Sequence, residues 1–105
     1  MKKNILEAVR VVRSKNSGPY ELTLDLLFKD RRYFDLFRRQ QIITPELVGR
    51  LYGVRREDVL AITYFEPAIA VKMTIRRPVA SGAPGDSDVY GAQQHAPLLS
   101  IEFDE

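Results

Sequence analysis

The chain has 105 residues, of which 45% are hydrophobic, and this size favours a single domain. It contains no cysteine, which excludes disulfides and thiolate chemistry and is compatible with a reducing cytoplasm. The formal net charge is +2, no apolar run of about 18 residues predicts a membrane span, and Glu7 and Arg10 interrupt the apolar stretch that a signal peptide needs. We therefore expect a cytoplasmic location.

The charge is distributed unevenly along the chain. Residues 1–78 hold all 16 Lys and Arg residues and 9 acidic residues, a formal charge of +7. Residues 79–105 hold 5 acidic residues and no Lys or Arg, a formal charge of −5. Either the acidic segment folds back on the basic body, or the basic body faces an anionic partner. We favour the first interpretation because it needs no partner.

The first apolar stretch, residues 5–13, fits two templates. Four of its apolar residues follow helical spacing, whereas its valines favour a strand. Periodicity alone does not distinguish the two. Residues 14–19, SKNSGP, then predict a turn.

The next two segments differ in their period. Residues 20–28, YELTLDLLF, alternate between apolar and polar side chains, which predicts a half-buried strand. Residues 31–40, RRYFDLFRRQ, place Tyr33, Phe34 and Phe37 at helical spacing among arginines, which predicts an amphipathic helix.

A second helix is predicted to begin after Thr44. This threonine suits the N-cap position, and Pro45 suits the first helical position. Gly53 stands where a glycine commonly ends a helix. The apolar stripe between them consists of Leu47, Val48, Leu51 and Tyr52.

Two further strands are predicted at residues 59–65 and 68–76. Glu66 and Pro67 interrupt them, and because proline lacks a ladder donor, one continuous central strand is disfavoured. The pattern leaves open whether the interruption is a hairpin or a bulge. The apolar face of the second strand consists of Ile69, Val71, Met73 and Ile75.

The element order predicts an α+β fold. Residues 78–97 are rich in Gly and Pro, and we expect a long functional or docking loop there. Residues 98–103 are expected to close the sheet as an edge strand. Since the helix pair is the only cover available, we predict a two-layer sandwich, a ferredoxin-like variant with an antiparallel or mixed sheet and two helices on one face. The far face of such a sheet often binds a partner, but Thr23, Asp25, Lys72 and Thr74 would make it only a moderately adhesive surface.

Four blocks of the sequence resemble a small bacterial family known as a domain of unknown function. They cover nearly the whole chain: VVRSKNSGPYELTLDLLF, ITPELVGRLYGV, YFEPAIAVKMTIRRP and SGAPGDSDVYGAQQHAPLL. Members of that family often stand beside acyclic terpene utilisation (AtuA-type) proteins. The chain also resembles, more weakly, the ferredoxin-like domain at the C-terminus of those larger proteins, which has an Arg-Ser-Gly-Asp-Lys-Gly turn and a Leu-Thr-Pro-Glu helix start.

The match to that C-terminal domain is incomplete at the turn. This chain reads RSKNSG from Arg13 to Gly18 and ITPE from Ile43 to Glu46, so the Gly-Asp of the turn is absent and the role of its acidic residue does not carry over. The resemblance implies that residues 5–13 form a strand. It implies no catalytic residue.

The first candidate site is the turn that follows the first predicted strand. Its small residues, amide and two cations can present backbone N–H groups and positive charge to a carboxylate, a phosphate or a coenzyme A tail. The alternative is a solvated turn rich in turn-forming residues. The residues concerned are Arg13, Ser14, Lys15, Asn16, Ser17 and Gly18.

The second candidate combines Asp86 and Asp88 with His95, the one histidine of the chain. Two carboxylates and an imidazole suit a divalent ion or acid–base catalysis. Because neither a histidine pair at zinc-protease spacing nor the ligand set of a calcium loop accompanies them, we predict no metal and no cofactor. His95 remains the one catalytic candidate. The alternative is that an aspartate caps a helical turn and His95 anchors the loop.

The third candidate is a recognition cluster of Tyr90, Gln93, Gln94 and His95. Amides and an imidazole offer directed hydrogen bonds without net charge. Because long loops inside compact domains are usually functional or disordered, we expect a docking or pocket-lining role. The alternative is that the loop satisfies its own polar groups.

Arginine doublets raise nucleic-acid binding as a further hypothesis. Phosphate binding needs several cations on one face, and tyrosines can stack on bases. However, arginines beside an apolar helical stripe usually form a solvated face, and no known nucleic-acid motif is present. We therefore regard nucleic acid as an unlikely partner. The doublets are Arg31-Arg32, Arg38-Arg39, Arg55-Arg56 and Arg76-Arg77, and the tyrosines are Tyr20, Tyr33 and Tyr52.

The expected function is that of a small accessory or second subunit of an AtuA-type protein, in acyl-coenzyme A or carboxylic-acid metabolism, without independent catalysis. One alternative is a homo-oligomeric, hydratase- or lyase-like enzyme that combines Tyr90 to His95 with the turn from Arg13 to Gly18 of the same or a neighbouring chain. Another is a nucleic-acid-binding module. An exposed strand edge also predicts self-association, most simply as a dimer.

Overall fold

The computed structural model describes residues 1–16, 20–76 and 95–105. Within these ranges none of the helices combines the length and the apolar character that crossing a membrane requires. The strands are β1 (Lys2–Asn4), β2 (Val9–Asn16), β3 (Glu21–Phe28), β4 (Val59–Phe65), β5 (Ala70–Arg76) and β6 (Glu102–Asp104); the α-helices are α1 (Arg31–Gln40) and α2 (Pro45–Tyr52); short 3-10 helices span Ile5–Glu7, Arg56–Asp58, Glu66–Ala68 and Ala96–Ser100.

Two antiparallel hairpins, β2–β3 and β4–β5, join through β3 and β5 into a four-stranded sheet of order β2-β3-β5-β4. β1 and β6 pair antiparallel in a separate two-stranded sheet. The predicted α+β class and the antiparallel pairing are therefore confirmed. The ferredoxin-like variant is not confirmed, because that arrangement follows the order β-α-β-β-α-β, whereas α1 and α2 both lie between β3 and β4.

The first apolar stretch divides into a helical turn and a strand. The side chain of Asn4 accepts a 2.9 Å hydrogen bond from the Leu6 backbone N–H and caps the 3-10 helix Ile5–Glu7. β2 begins at Val9 and pairs with β3 along its whole length. The strand interpretation is thus correct from Val9 onward, and helical structure is limited to one turn.

Side-chain caps and a left-handed glycine fix the ends of the α-helices. Asp30 accepts a hydrogen bond from the Arg32 backbone N–H at the start of α1. At the start of α2, Thr44 accepts one from the Leu47 backbone N–H at 3.1 Å. Gly53 ends α2 with a φ of 65°, a conformation that glycine adopts without steric cost. The predicted cap and terminal glycine of this helix are confirmed.

An aromatic cluster joins the main sheet to α1. The ring of Phe28 lies 4.8 Å from the ring of Phe37 and 6.2 Å from that of Phe34, measured between centroids. The hydroxyl of Tyr64, on β4, donates a 3.3 Å hydrogen bond to the Phe37 carbonyl, and its ring packs edge-on against Phe34. These contacts place α1 on the sheet face that carries Phe28 and Tyr64.

The interruption between the third and fourth predicted strands is a hairpin turn. The 3-10 helix Glu66–Ala68 joins β4 to β5, and Ile69 follows it with a φ of 43°. A left-handed conformation costs a β-branched residue of the order of 1–3 kcal/mol. The Ile69 carbonyl accepts a 3.0 Å hydrogen bond from the Phe28 backbone N–H, which ties the turn to β3.

The expectation that residues 98–103 close the main sheet is wrong. Ala96–Ser100 is a 3-10 helix, and the strand that follows it, β6, pairs with β1 instead. Leu98 is completely buried, and the ring of Phe103 lies 5.1 Å from that of Phe37. Core packing and pairing with β1, and not pairing with the main sheet, therefore hold this segment in place.

The acidic end of the chain folds back on the basic body. Glu105 accepts a 2.6 Å hydrogen bond from the Lys3 ammonium group and forms an ion pair with Arg32. Asp104 lies 3.7 Å from Lys2. The favoured interpretation of the charge asymmetry is confirmed for these two acidic residues, whereas the two aspartates of the predicted loop lie outside the described residues.

Replacing Phe103→Ala should destabilise the chain by about 3–5 kcal/mol, because it removes a ring that is 3% exposed from the aromatic cluster. Urea denaturation followed by circular dichroism measures this change. Phe65→Ala is the matched control, since this ring is 53% exposed and its removal should change the free energy of unfolding by about 0.5 kcal/mol or less. Similar losses in the two variants would contradict the described packing of the C-terminal strand.

Acid should weaken the folded state through the paired carboxylates. The hydrogen bond from Lys3 lowers the pKa of Glu105 below its ordinary value of 4.5, and hydrogen bonds from Arg38 and Arg31 lower the pKa of Glu66. A lowered pKa in the folded state adds stability above the unfolded pKa, and that stability is lost as the pH falls through the folded pKa.

Glu105→Gln should therefore flatten the acid limb of the stability profile. The measurement is the difference in unfolding free energy between about pH 7 and about pH 3, which we expect to be smaller in the variant than in the wild-type chain. Glu57→Gln, at an exposed position on the 3-10 helix Arg56–Asp58, is the control and should leave the difference unchanged. Equal profiles for all three chains would contradict the proposed role of Glu105.

Candidate functional site

The face of the main sheet opposite α1 is named the open face, and it carries a candidate site. Its residues are those that alternate with the buried ones along each strand, because successive side chains of a strand point to opposite faces. Several of them are solvent-exposed although their neighbours in sequence are buried. The open face comprises Val11, Arg13 and Lys15 of β2, Thr23, Asp25 and Leu27 of β3, Ala61, Thr63 and Phe65 of β4, and Ala70, Lys72 and Thr74 of β5.

A charged row crosses the middle of the open face. Register pairing sets Arg13 opposite Asp25, Asp25 opposite Lys72, and Lys72 opposite Thr63. The Nε–H of Arg13 donates a 3.0 Å hydrogen bond to the Asp25 carboxylate, which is only 5% exposed. Since Arg13 itself is exposed, this contact anchors its guanidinium group while leaving it accessible to solvent.

An apolar row lies beside the charged one. Leu27 is opposite Ala70, and Ala70 is opposite Phe65, whose side chain is 53% exposed. Together the two rows line a hollow of about 350 Å³, to which Lys15 adds a third cation and Ala68 a further apolar wall. The hollow therefore has a cationic side and an apolar side, which is the pattern that binds an anion with an apolar tail.

The first predicted candidate site is split by the strand. Arg13, Ser14, Lys15 and Asn16 are the last four residues of β2 and not a turn, because they pair in register with β3. Strand alternation directs Arg13 and Lys15 to the open face and turns Ser14, 7% exposed, towards the opposite one. These four residues therefore do not form the predicted turn. Ser17 and Gly18 lie outside the described residues.

The second and third predicted candidates are described only at His95. This residue precedes the 3-10 helix Ala96–Ser100 and lines a hollow of about 230 Å³ with Val11, Leu99 and other side chains. Arg13 lines a different hollow. Within residues 1–16, 20–76 and 95–105, no group of three His, Asp or Glu side chains is placed to hold a metal ion. The other predicted residues lie outside the described ranges: Asp86, Asp88, Tyr90, Gln93 and Gln94.

Most arginines of the predicted nucleic-acid surface pair with carboxylates of this chain. Each pair neutralises charge that a phosphate backbone would need, and the pairs are spread over several elements. Of the tyrosines proposed for stacking, Tyr20 is 60% exposed, whereas Tyr33 is 9% exposed. The ion pairs are Arg31 with Asp35 and Glu66, Arg32 with Glu105, Arg38 with Asp35 and Glu66, Arg55 and Arg76 with Asp58, and Arg56 with Glu46.

Sequence patterning identified part of the open face and missed the rest. Asp25 and Lys72 were predicted on the far face of the sheet. That Arg13 and Phe65 lie beside them was not predicted. The missing information is register, since two residues on different strands become neighbours only when the pairing of those strands is known. The alternation of Arg13 and Lys15 within a strand pattern was the available signal.

The architecture is that of an α+β protein with two α-helices, a four-stranded antiparallel sheet and a two-stranded antiparallel sheet. Residues 5–102 match the model of the family described as Domain of unknown function (DUF4387), and the chain belongs to this family. No curated protein and no solved structure matches the chain.

Replacing Arg13→Met should destabilise the chain by about 1–2 kcal/mol, because the buried Asp25 carboxylate loses its ion-pair partner. The loss is smaller than for a fully buried pair, since the guanidinium group is exposed. Urea denaturation measures it, and the double variant Arg13→Met/Asp25→Asn should recover part of the loss. Arg10→Met, at another exposed position of β2, is the control. An Arg13 variant as stable as the control would contradict this role of the pair.

Proposed function

We propose that this chain is a small accessory subunit that docks onto a larger AtuA-type protein in cytoplasmic acyl-coenzyme A or carboxylic-acid metabolism. The resemblance of the sequence to proteins associated with that class supports the choice of partner. The observation that carries the docking role is the outer edge of β4.

β4 is an outer strand of the main sheet in the described part of the chain. None of its seven residues, Val59–Phe65, carries a charge. Leu60 is 40% exposed. Outer strands with unpaired backbone groups and apolar side chains tend to pair with another chain, and proteins that avoid this place charges or proline there.

The opposite outer strand differs in the expected way. β2 carries Arg10, Arg13 and Lys15, all exposed, and such cations discourage edge-to-edge pairing. The asymmetry between the two outer strands favours β4 as the edge that receives a partner.

A hollow of about 440 Å³ lies along the edge of β4. Gln41, Thr44 and Pro45 line it on the helical side, and Leu60 and Tyr64 line it on the strand side. When an extended segment adds to a sheet edge, main-chain hydrogen bonds supply affinity and adjacent pockets receive alternate side chains. The hollow would serve as such a pocket for a strand from the larger subunit.

The alternative functions draw less support from the geometry. Within one chain, His95 and Arg13 line different hollows, so the homo-oligomeric enzyme would need a site shared between neighbouring chains. The nucleic-acid alternative requires cations that the chain instead pairs internally. A second copy of this chain on the β4 edge is the remaining competitor, and the experiment below separates it from the proposed partner.

Leu60→Lys should abolish co-purification with an AtuA-type protein encoded in the same genome, because a charge on the outer strand opposes pairing. Both proteins are co-expressed with a tag on the larger one, and the retained small chain is quantified. Leu6→Lys is the matched control, since Leu6 is 53% exposed and lies outside the main sheet. Both variants should keep the stability of the wild-type chain within about 0.5 kcal/mol.

Two outcomes would overturn the proposal. One is that the wild-type chain is not retained by the larger protein, or is retained equally in the Leu60 variant. The other is that the chain alone forms a dimer that Leu60→Lys dissociates and that excludes the larger protein. The second result would assign the β4 edge to contact between copies of this chain.

A further inference from the structure

The hollow on the open face differs in position and chemistry from the proposed docking edge. It lies over β2, β3 and β5 and reaches β4 through Thr63 and Phe65, whose side chains point away from α1. Its volume of about 350 Å³ is at the lower end of the range for small-molecule sites. A ligand that fills it would therefore be small.

Charge selects an anion for this hollow. Arg13, Lys15 and Lys72 oppose a single carboxylate, that of Asp25. Within the described residues, no carboxylate lies at ion-pairing distance from the ammonium group of Lys15 or Lys72, and both lysines are exposed. The Asp25 carboxylate is already engaged by Arg13, so the net field that a ligand meets is positive.

The pair of Arg13 and Asp25 prepares the cationic side for a carboxylate. Its hydrogen bond uses the Nε–H of Arg13, and a guanidinium group carries four further N–H donors on its two Nη atoms. Such donors suit a planar carboxylate, which accepts two parallel hydrogen bonds. Because Asp25 is 5% exposed on the central strand β3, it holds the guanidinium group against the sheet.

The spacing of the two rows sets the length of the ligand. Neighbouring residues on one face of a strand are separated by about 7 Å along it, so the row of Arg13 and Lys72 lies about that far from the row of Leu27, Ala70 and Phe65. An anionic head among the cations places a short chain of carbon atoms over the apolar row. Covering the exposed ring of Phe65 with such a chain removes apolar surface from water, which favours binding.

We propose that the open face binds a small organic monocarboxylate, with its carboxylate among Arg13, Lys15 and Lys72 and its apolar tail on Leu27, Ala70 and Phe65. This site is independent of the β4 docking edge, because its ligand is a small molecule held by side chains of the sheet face. The accessory subunit would then bind a small molecule in addition to its protein partner.

Nuclear magnetic resonance titration with hexanoate tests the site directly. Amide signals of β2, β3 and β5 should shift and saturate, and the affinity should fall as salt is added, because exposed charges are screened. Hexanol, which lacks the charge, and acetate, which lacks the tail, should each bind about tenfold more weakly or worse. Equal binding of hexanoate and hexanol, or no saturable shift with hexanoate at about 10 mM, would overturn the proposal.

Two variants separate the roles of head and tail. Lys72→Met should weaken hexanoate binding about tenfold, the change expected from losing one charge-assisted contact, whereas Lys29→Met, at an exposed position outside the hollow, should not. Phe65→Ala should weaken binding of hexanoate but not of acetate. An affinity for hexanoate unchanged in both Lys72→Met and Phe65→Ala would show that the ligand binds elsewhere. Retention by the AtuA-type protein is a separate readout, so failure of either proposal leaves the other standing.

Discussion

The packing of β3 between β2 and β5 is the constraint on which the rest of the structure depends. Both faces of this strand are used. Phe28 directs its ring into the aromatic cluster with α1, while Asp25 lies on the open face beside Arg13. Both are almost completely shielded from solvent. A shift of one residue in the pairing of β3 would exchange the two faces, exposing the ring and burying the carboxylate against α1. The hydrophobic pattern of β3 fixes its register, and therefore positions the residues of the candidate site as well as those of the core.

Local chemistry explains why much of the fold was predictable. Thr44, Pro45 and Gly53 each favour a particular backbone conformation, so they mark the ends of α2 without reference to the rest of the chain. The alternation in β3 and the helical period in α1 likewise depend on near neighbours in sequence. By contrast, β1 has three residues, and its pairing with β6 joins positions about a hundred residues apart. No local pattern carries that contact, which is why the last apolar segment was assigned to the wrong sheet.

The candidate site was predictable only in part for the same reason. Arg13 and Lys15 were recognised as a cationic pair, but in a turn, because the dense turn signal at residues 14–19 overlaps the end of the strand. Strand alternation then separates them from Ser14, and pairing brings in Asp25 and Lys72 from other strands. Which side chains lie together on the open face thus depends on the register in which the strands pair. Residue types could suggest that an anion binds, but the apolar row that limits the kind of anion emerges only from the assembled sheet.

The pairing of β1 with β6 also bears on when the protein can fold during synthesis. Phe103 completes the aromatic cluster, and Glu105 pairs with Lys3 and Arg32. Residues that are synthesised early therefore gain these contacts only after the last strand has been synthesised. The two hairpins of the main sheet can form while the chain is still growing, but the cluster stays open on one side until Phe103 has left the ribosome. During that interval the sides of Tyr33 and Phe37 that Phe103 later covers are exposed to solvent. The core is therefore completed only when β6 pairs with β1.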